Sequence, residues 1–407
     1  MLEIIDIFYY ILIYFFLFYS IFYLLTFFSN KRLFFKDPKA RKRPSVSIII
    51  PAYNEEKNIA KAIKSILGQN YPKNKLRVIV VDDGSADRTV EIASKFKNVK
   101  VIIKKHGGFK AAALNKGLEH TTTNLVGFMD ADSYLTKNSI LNMISYLENK
   151  DVGAVMGTVR VSKPKNILQK AQHIEYLLFT ITKRVFHFID GNFITPAFAI
   201  YRTSELKSLG GFEENNPSED IEIALRYIKN GYKIRNSFNG IVYTETPHTI
   251  KGLAKQRIRW LRGFFSNTKK YSDIIFNSKY GELGSFTLPI YYVNLILVNI
   301  FMGIVLFGLY SGAVADFMYY QAIGFDFSDI FRRSFDFNFL YDYKTIFLIA
   351  SAALTIIIIL IGRRKSKGKR VARARDYIFF LLVYPIITNV LTVISVIQHL
   401  RRAKQGW

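Results

Sequence analysis

From Ile4 to Phe28 the chain runs for about 25 residues with Asp6 as its only charge, and with Ser20, Thr26 and several tyrosines as its other polar members. A stretch of that length crosses a hydrocarbon core of roughly 30 Å. In lipid every backbone N–H and C=O must find its partner within the chain, so the segment is expected to be helical and the rest must fold around an anchor. A basic cluster follows: Lys31, Arg32, Lys36, Lys39, Arg41, Lys42 and Arg43. A cleavable leader has a shorter apolar part, positive charge before it and small residues after it. The order here is the reverse, which reads as a retained anchor over residues 1–30 with its C-terminal end in the cytoplasm.

Three further apolar stretches lie near the other end: Phe286 to Leu309, Phe347 to Ile361, and Tyr377 to Leu400 with Pro385 inside it. They define a C-terminal membrane region over 285–400 of about three spans. The loop after Tyr310 carries Asp316, Asp326, Asp329, Asp336 and Asp342, whereas Arg363 to Arg375 is almost wholly basic. Charge asymmetry places the first outside and the second inside. A simple final crossing then strands Arg401, Arg402 and Lys404 outside, unless Pro385 breaks the last stretch into a re-entrant or interfacial piece.

Half of the residues are hydrophobic, yet the formal charge is +26. Because the clustered Lys and Arg stand beside apolar spans, anionic lipid is the partner they imply, and nucleic acid is not expected. There is no cysteine, which excludes disulfides and thiolate metal sites.

Between the spans, 44–245 alternates short β-branched runs with helical stretches. The runs are Val46 to Ile50, Leu76 to Val81, Val99 to Ile103, Leu125 to Met129 and Val152 to Met156, and the helices include Glu56 to Leu67 and Thr89 to Phe96. This order implies an α/β domain, doubly wound around a mostly parallel sheet, with its ligand crevice at the carboxyl ends of the strands. Basic amphipathic segments at Ile167 to Ile189 and Ile250 to Phe265 suit the membrane interface.

Polar motifs fall at the strand ends. Pro51-Ala52-Tyr53-Asn54-Glu55 reads either as a helix start capped by Asn54 or as a border for a base. Asp82-Asp83-Gly84-Ser85 is turn chemistry with one acid more than the turn needs. Gly107-Gly108-Phe109-Lys110 offers backbone N–H groups, a helix start and an ammonium to a pyrophosphate. Asp130-Ala131-Asp132, just past an apolar strand, is an Asx turn or a pair of oxygen ligands for magnesium or manganese. Glu219-Asp220 is helix N-terminal charge or part of a site, and Gln256-Arg257-Ile258-Arg259-Trp260 sits in the second amphipathic segment, within an interfacial helix over 246–275.

In this order the motifs resemble the membrane-integrated members of glycosyltransferase family 2, the group of hyaluronan, chitin, cellulose and poly-N-acetylglucosamine synthases. The resemblance covers roughly Ser45 to Tyr271. Gly108 to Gly117, Met129 to Ser133, Gly210-Gly211-Phe212, Glu219-Asp220 and Gln256 to Trp260 carry it.

The resemblance implies a GT-A-type fold and an inverting transfer from a UDP-sugar with manganese or magnesium, by a plasma-membrane protein whose catalytic domain is cytoplasmic. Ala52, Tyr53, Glu55 and Asp83 would border the uridine, and Lys110 would reach the phosphates. Asp130 would face the donor and Asp132 would ligate the metal, both beside the diphosphate. Asp220 would be the general base, Trp260 would stack under the acceptor sugar, and Gln256 with Arg259 would contact acceptor or leaving diphosphate. His248 is a candidate extra contact to metal or phosphate. Two products fit: a β-linked polysaccharide extended processively and passed across the membrane, or one sugar added to a polyprenyl phosphate or glycolipid. A catalytically idle scaffold is the third reading. Many members carry a later gating segment, of which the resemblance would make Gly406-Trp407 a remnant. N-acetylglucosamine is preferred over glucose as donor sugar on the likeness to the poly-N-acetylglucosamine synthases.

Overall fold

The computed structural model describes residues 4–325, 343–365 and 372–401. Eight strands form one sheet: β1 (Val46–Ala52), β2 (Leu76–Asp82), β3 (Val99–Ile103), β4 (Leu125–Met129), β5 (Tyr134–Leu135), β6 (Val152–Val161), β7 (Phe198–Arg202) and β8 (Lys233–Thr244). Their spatial order is β3-β2-β1-β4-β7-β6-β8-β5, with β7 and β5 running against the other six. The chain leaves β1 for β2 on one side and reaches β4 on the other. The crevice beyond their carboxyl ends is therefore the topological switch point where α/β sheets bind ligands.

The five expected strands are all present, and β5, β7 and β8 join them. Both faces of the sheet are covered, which is why β1 is apolar without alternation. Ile48 and Ile50 pack with Ile59, Ile63 and Ile66 of α2 (Ile59–Leu67), while Ile49 faces Ala113 and Leu114 of α4 (Lys110–Glu119). Each such wholly buried isoleucine contributes about 2–3 kcal/mol. A Cβ on Gly117 would overlap Ile49, so glycine lets α4 lie close on β1 and fixes where Lys110 starts. Asn54 is not the cap expected of it. It adopts a left-handed φ of 54°, and the helix begins later, after Asn58. Its side chain instead accepts from the Ala86 N–H at 2.9 Å, joining the two loops that edge the crevice.

The remaining helices of this part are α1 (Ile4–Ser29), α3 (Thr89–Ser94), α5 (Ser139–Ile144), α6 (Ile167–Phe188), α7 (Thr203–Ser208), α8 (Glu219–Lys229) and α9 (Ile250–Lys270). The C-terminal region adds α10 (Leu288–Ala322), α11 (Tyr343–Lys365), α12 (Ala374–Leu382) and α13 (Tyr384–Leu400). Among the described residues four stretches are long and apolar enough to cross a membrane: Asp6–Ser29, Leu283–Ala322, Thr345–Gly362 and Ala374–Leu400. Their exposed Tyr14, Leu25, Phe28, Phe307 and Leu309 form the kind of apolar surface that lipid covers.

Two sequence expectations change here. The stretch from Phe286 does not end at Leu309, because α10 runs on to Ala322 and takes Asp316 onto a helix rather than a loop. Asp326, Asp329, Asp336 and Asp342 lie outside the described residues, as do Arg402, Lys404 and Gly406-Trp407. The last stretch breaks at Val383, where Pro385 begins a new helix in its first turn.

The amphipathic helices α6 and α9 lie between the sheet domain and the membrane helices. Leu168, Ala171, Ile174 and Leu177 of α6 and Leu253 of α9 pack with Ile359, Phe380, Tyr384 and Leu391. Arg184 of α6 is buried rather than facing headgroups. It donates to the carbonyls of Leu33, Phe34, Lys36 and Asn236 and to the Tyr146 hydroxyl, at 2.6–3.1 Å. The basic segment after α1 is thus fastened to the sheet domain, with Asp37 accepting from the Phe238 and Asn239 N–H groups.

Candidate functional site

The motifs that follow Ala52, Asp82 and Met129 stand at the carboxyl ends of β1, β2 and β4, with different work for each residue. Asp82 serves the turn, its carboxylate accepting from the Gly84 and Ser85 N–H groups at 3.1 and 3.0 Å. Asp83, which the turn does not need, pairs with Lys104 and lies 3.0 Å from His106 Nδ1, while its N–H donates to the Ala52 carbonyl. His106 stacks on Tyr53 with ring centroids 4.5 Å apart. Tyr53 is 48% exposed, so this end of the crevice offers an aromatic face beside a carboxylate. Lys104 and His106 carry no sequence signal. They meet Asp83 only because β3 pairs in parallel with β2.

The second group gathers where β4 ends. Lys110 hydrogen-bonds Asp130 and stands 3.1 Å from Glu219. Burial pulls its pKa down, but the two carboxylates outweigh that and hold it well above the usual lysine range. Asp132 accepts from Ser133 Oγ at 3.1 Å and from Thr244 Oγ1 at 3.3 Å. Burial, then the charges of Asp130 and Glu55, push its carboxyl up to about 7. Glu55 is raised as well, by burial first and then by Glu245, Asp130 and Asp87, against the Asn58 amide that bonds it. Carboxylates crowded this way favour a cation. Asp130 and Asp132 would hold it. No group of three or more ligating side chains occurs among the described residues, so further oxygens would come from ligand or water. His248 is not brought to this pair by any contact among the described residues. Its backbone carbonyl accepts from Asn166 Nδ2 at 2.7 Å.

Asp220 stands in the first turn of α8, its carboxylate accepting from the Ile221 N–H at 3.0 Å. Burial and the charge of Glu219 raise it to about 6, against the lowering effects of Lys110 and Arg259. Arg259 of α9 is exposed and has no ion-pair partner among the described residues. Gln256 Oε1 is buried without a hydrogen-bond partner among them. Trp260 packs beneath the guanidinium of Arg257, 4.6 Å from its ring centroid. Lys183 of α6 is a cation that sequence reasoning passed over. Burial lowers its pKa to about 8, with Asp220 acting in the opposite direction.

The helices carrying the Glu-Asp pair and the Gln-x-x-Arg-Trp motif are locked together. Asn216 and Asn267 exchange amide hydrogen bonds, Asn267 also donates to the Ser218 carbonyl at 3.1 Å, and Tyr271 donates to Glu222 at 2.6 Å. A Cβ on Gly263 would overlap the Ser218 hydroxyl. Gly263→Ala is therefore expected to push α9 off the turn before Asp220, costing about 1–3 kcal/mol of stability and most of the activity. Thermal unfolding and turnover of this variant check both. Other motif residues are structural. Asn115 clamps Phe212 through its N–H and C=O, both at 2.8 Å, across the left-handed Gly210 and Gly211.

The family model described as Glycosyl transferase family 2 matches residues 47–210. A poly-beta-1,6-N-acetyl-D-glucosamine synthase of Staphylococcus epidermidis is 26% identical over 379 residues, covering 89% of this chain and 85% of the relative. A probable glycosyltransferase, YdaM, of Bacillus subtilis (strain 168) is 34% identical over 235 residues, covering 55% of this chain and 56% of its own length. Among solved structures, the mannosyltransferase PcManGT of Pyrobaculum calidifontis, in complex with GDP-Man and Mn2+, matches with a TM-score of 0.60 and 19% identity, covering 94% of this chain and 96% of that one. Residues 47–210 belong to glycosyl transferase family 2, in a membrane-helix-bearing chain whose fold is that of the GT-A glycosyltransferases.

Proposed function

We propose that this glycosyltransferase uses a UDP-sugar, with N-acetylglucosamine preferred, to extend a β-linked polysaccharide. The observation that carries the reading is the meeting of Lys110, Asp130, Glu219 and Asp220 at one end of the crevice, with Arg259 unpaired nearby. The likeness of most of the chain to a poly-beta-1,6-N-acetyl-D-glucosamine synthase supports the choice of sugar and of product.

In this reading Ala52, Tyr53, Glu55 and Asp83 border the uridine. Asp130 and Asp132 would hold a divalent cation, manganese or magnesium, which would neutralise diphosphate charge. Asp220 accepts the proton of the acceptor hydroxyl as that oxygen forms its bond to the anomeric carbon and the bond to the UDP oxygen breaks. Attack opposite the leaving group turns an α-linked donor into a β-linked product. Lys110 and Arg259, both close enough to Asp220 to lower its pKa, stabilise the departing diphosphate. Gln256 offers its unpartnered oxygen to the acceptor, and Trp260 gives the sugar a stacking face. The catalytic unit, 44–245 with the helix of 246–275, faces the cytoplasm, as the basic segments at 31–43 and 363–375 support.

A base must be ionised, so the pH dependence follows from Asp220. With its pKa raised to about 6, kcat/KM is expected to fall tenfold per pH unit below that value and to level off above it. A pH–rate profile in a constant-ionic-strength buffer checks the position of the limb.

The test of the function is incubation of the protein in lipid nanodiscs with manganese and radiolabelled UDP-N-acetylglucosamine or UDP-glucose, with products sized by gel. A high-mass, glycosidase-sensitive smear is expected. A single small lipid-soluble product would transfer the assignment to a lipid glycosyltransferase.

A further inference from the structure

Three polar side chains that meet on the membrane side of α9, Arg257 and Tyr384 buried and Glu175 nearly so, take no part in the displacement. Arg257, next to Gln256 in the motif, is only 8% exposed. Its guanidinium pairs with Glu175 of α6 and lies 3.3 Å from the Tyr384 hydroxyl, which itself donates to Glu175 at 2.9 Å. The same guanidinium stands over the Trp260 ring. Tyr384 is 3% exposed and opens α13, directly after the break at Val383, with Phe380 stacked 5.8 Å away. One guanidinium thus connects α6, the last membrane helix and the indole.

A buried ion pair is a poor source of stability, since apolar side chains of the same size avoid its desolvation cost. What it does supply is direction. A guanidinium held in plane by a carboxylate and a hydroxyl presents its face to an aromatic ring, which an ammonium cannot do. The helix break matters for the same reason, because an uninterrupted helix through Pro385 would not start a new turn at Tyr384.

We propose that Glu175, Arg257 and Tyr384 form a positioning network that sets the Trp260 ring from the membrane side, making the last membrane helix a working part of the acceptor site. The second half of this statement rests on the reading of Trp260 as the acceptor's stacking face.

The chain has two tryptophans, Trp260 and Trp407, so a Trp407→Phe background leaves Trp260 as the only indole. The full-length protein in lipid nanodiscs is compared with Tyr384→Phe, with Glu175→Gln, and with Leu391→Ala. The last loosens the packing of α13 and removes no polar group of the network. Acrylamide quenching of Trp260 is expected to rise about twofold or more in Tyr384→Phe and Glu175→Gln, and to stay at the parental value in Leu391→Ala. Addition of a β-1,6-linked N-acetylglucosamine oligomer should protect the indole, with a half-saturation about fivefold higher in the two network variants. Parental quenching in Tyr384→Phe and Glu175→Gln, or an equal rise in Leu391→Ala, overturns the proposal. The quenching needs no turnover, so failure of the acceptor reading shows separately, as parental emission that the oligomer leaves unchanged.

Discussion

Asp220→Asn is expected to lower turnover by about three orders of magnitude while leaving affinity for the UDP-sugar within about twofold. The asparagine keeps the shape of the side chain, and its carbonyl oxygen can still accept from the Ile221 N–H. What it loses is the ability to take a proton. Loss of fold would not explain such a result, because the sign of the charge effect runs the other way. Asp220 has a folded pKa of about 6, above the ordinary 3.8, so the native state binds more protons than the unfolded chain in that window. Stability contributed by this group therefore falls as pH rises from about 4 through 6, and a neutral amide removes the penalty. The variant should unfold at the parental temperature or higher at pH 7.5. Titration of UDP-N-acetylglucosamine against the variant, beside its turnover, separates binding from chemistry. Robust transfer by Asp220→Asn would sink the base assignment.

The complementary loss comes from Asp132→Asn. Here donor binding itself is expected to weaken, by about two orders of magnitude, because one of the two carboxylates that would hold the cation is gone. The readout need not be activity. In the parent, manganese with UDP should raise the unfolding temperature by mass action. In Asp132→Asn that rise should vanish, while without cation the variant should be at least as stable as the parent, since Asp132 is crowded by Asp130 and Glu55. A variant still stabilised by manganese and UDP to the parental extent would remove Asp132 from the metal site. Taken together, the two variants separate roles that a simple loss of activity confuses: one keeps the donor and loses the chemistry, the other loses the donor.

How far these roles were readable in the sequence depended on whether a residue acts through its own segment or across the fold. Strands β1 to β4 were legible because each is a short apolar run, mostly β-branched in β1 to β3, broken only by Ser47, Arg77, Asp82 and Lys100. Strand β8 was hidden by Lys233, Arg235, Asn236, Ser237 and Asn239, polar residues that the fold uses: Arg235 and Lys233 pair with Asp190, and Asn236 gives its carbonyl to Arg184. The acids at strand ends announced themselves by position. Their partners did not. Lys104 reaches Asp83 from the next strand, Glu219 was read as half of a pair rather than as the second carboxylate on Lys110, and Arg257 finds Glu175 and Tyr384 at separations of 82 and 127 residues. The Asn54 cap failed for a local reason. Its left-handed backbone serves a loop-to-loop bond that propensity rules do not weigh.

The most direct measurement is the anomeric configuration of the product, read by proton NMR from the H1–H2 coupling of sugar newly transferred from an α-linked UDP-sugar. One displacement with Asp220 as base gives a β linkage. An α linkage would contradict it, because retention needs a second displacement or a front-face attack that a single base acting on the acceptor hydroxyl does not provide.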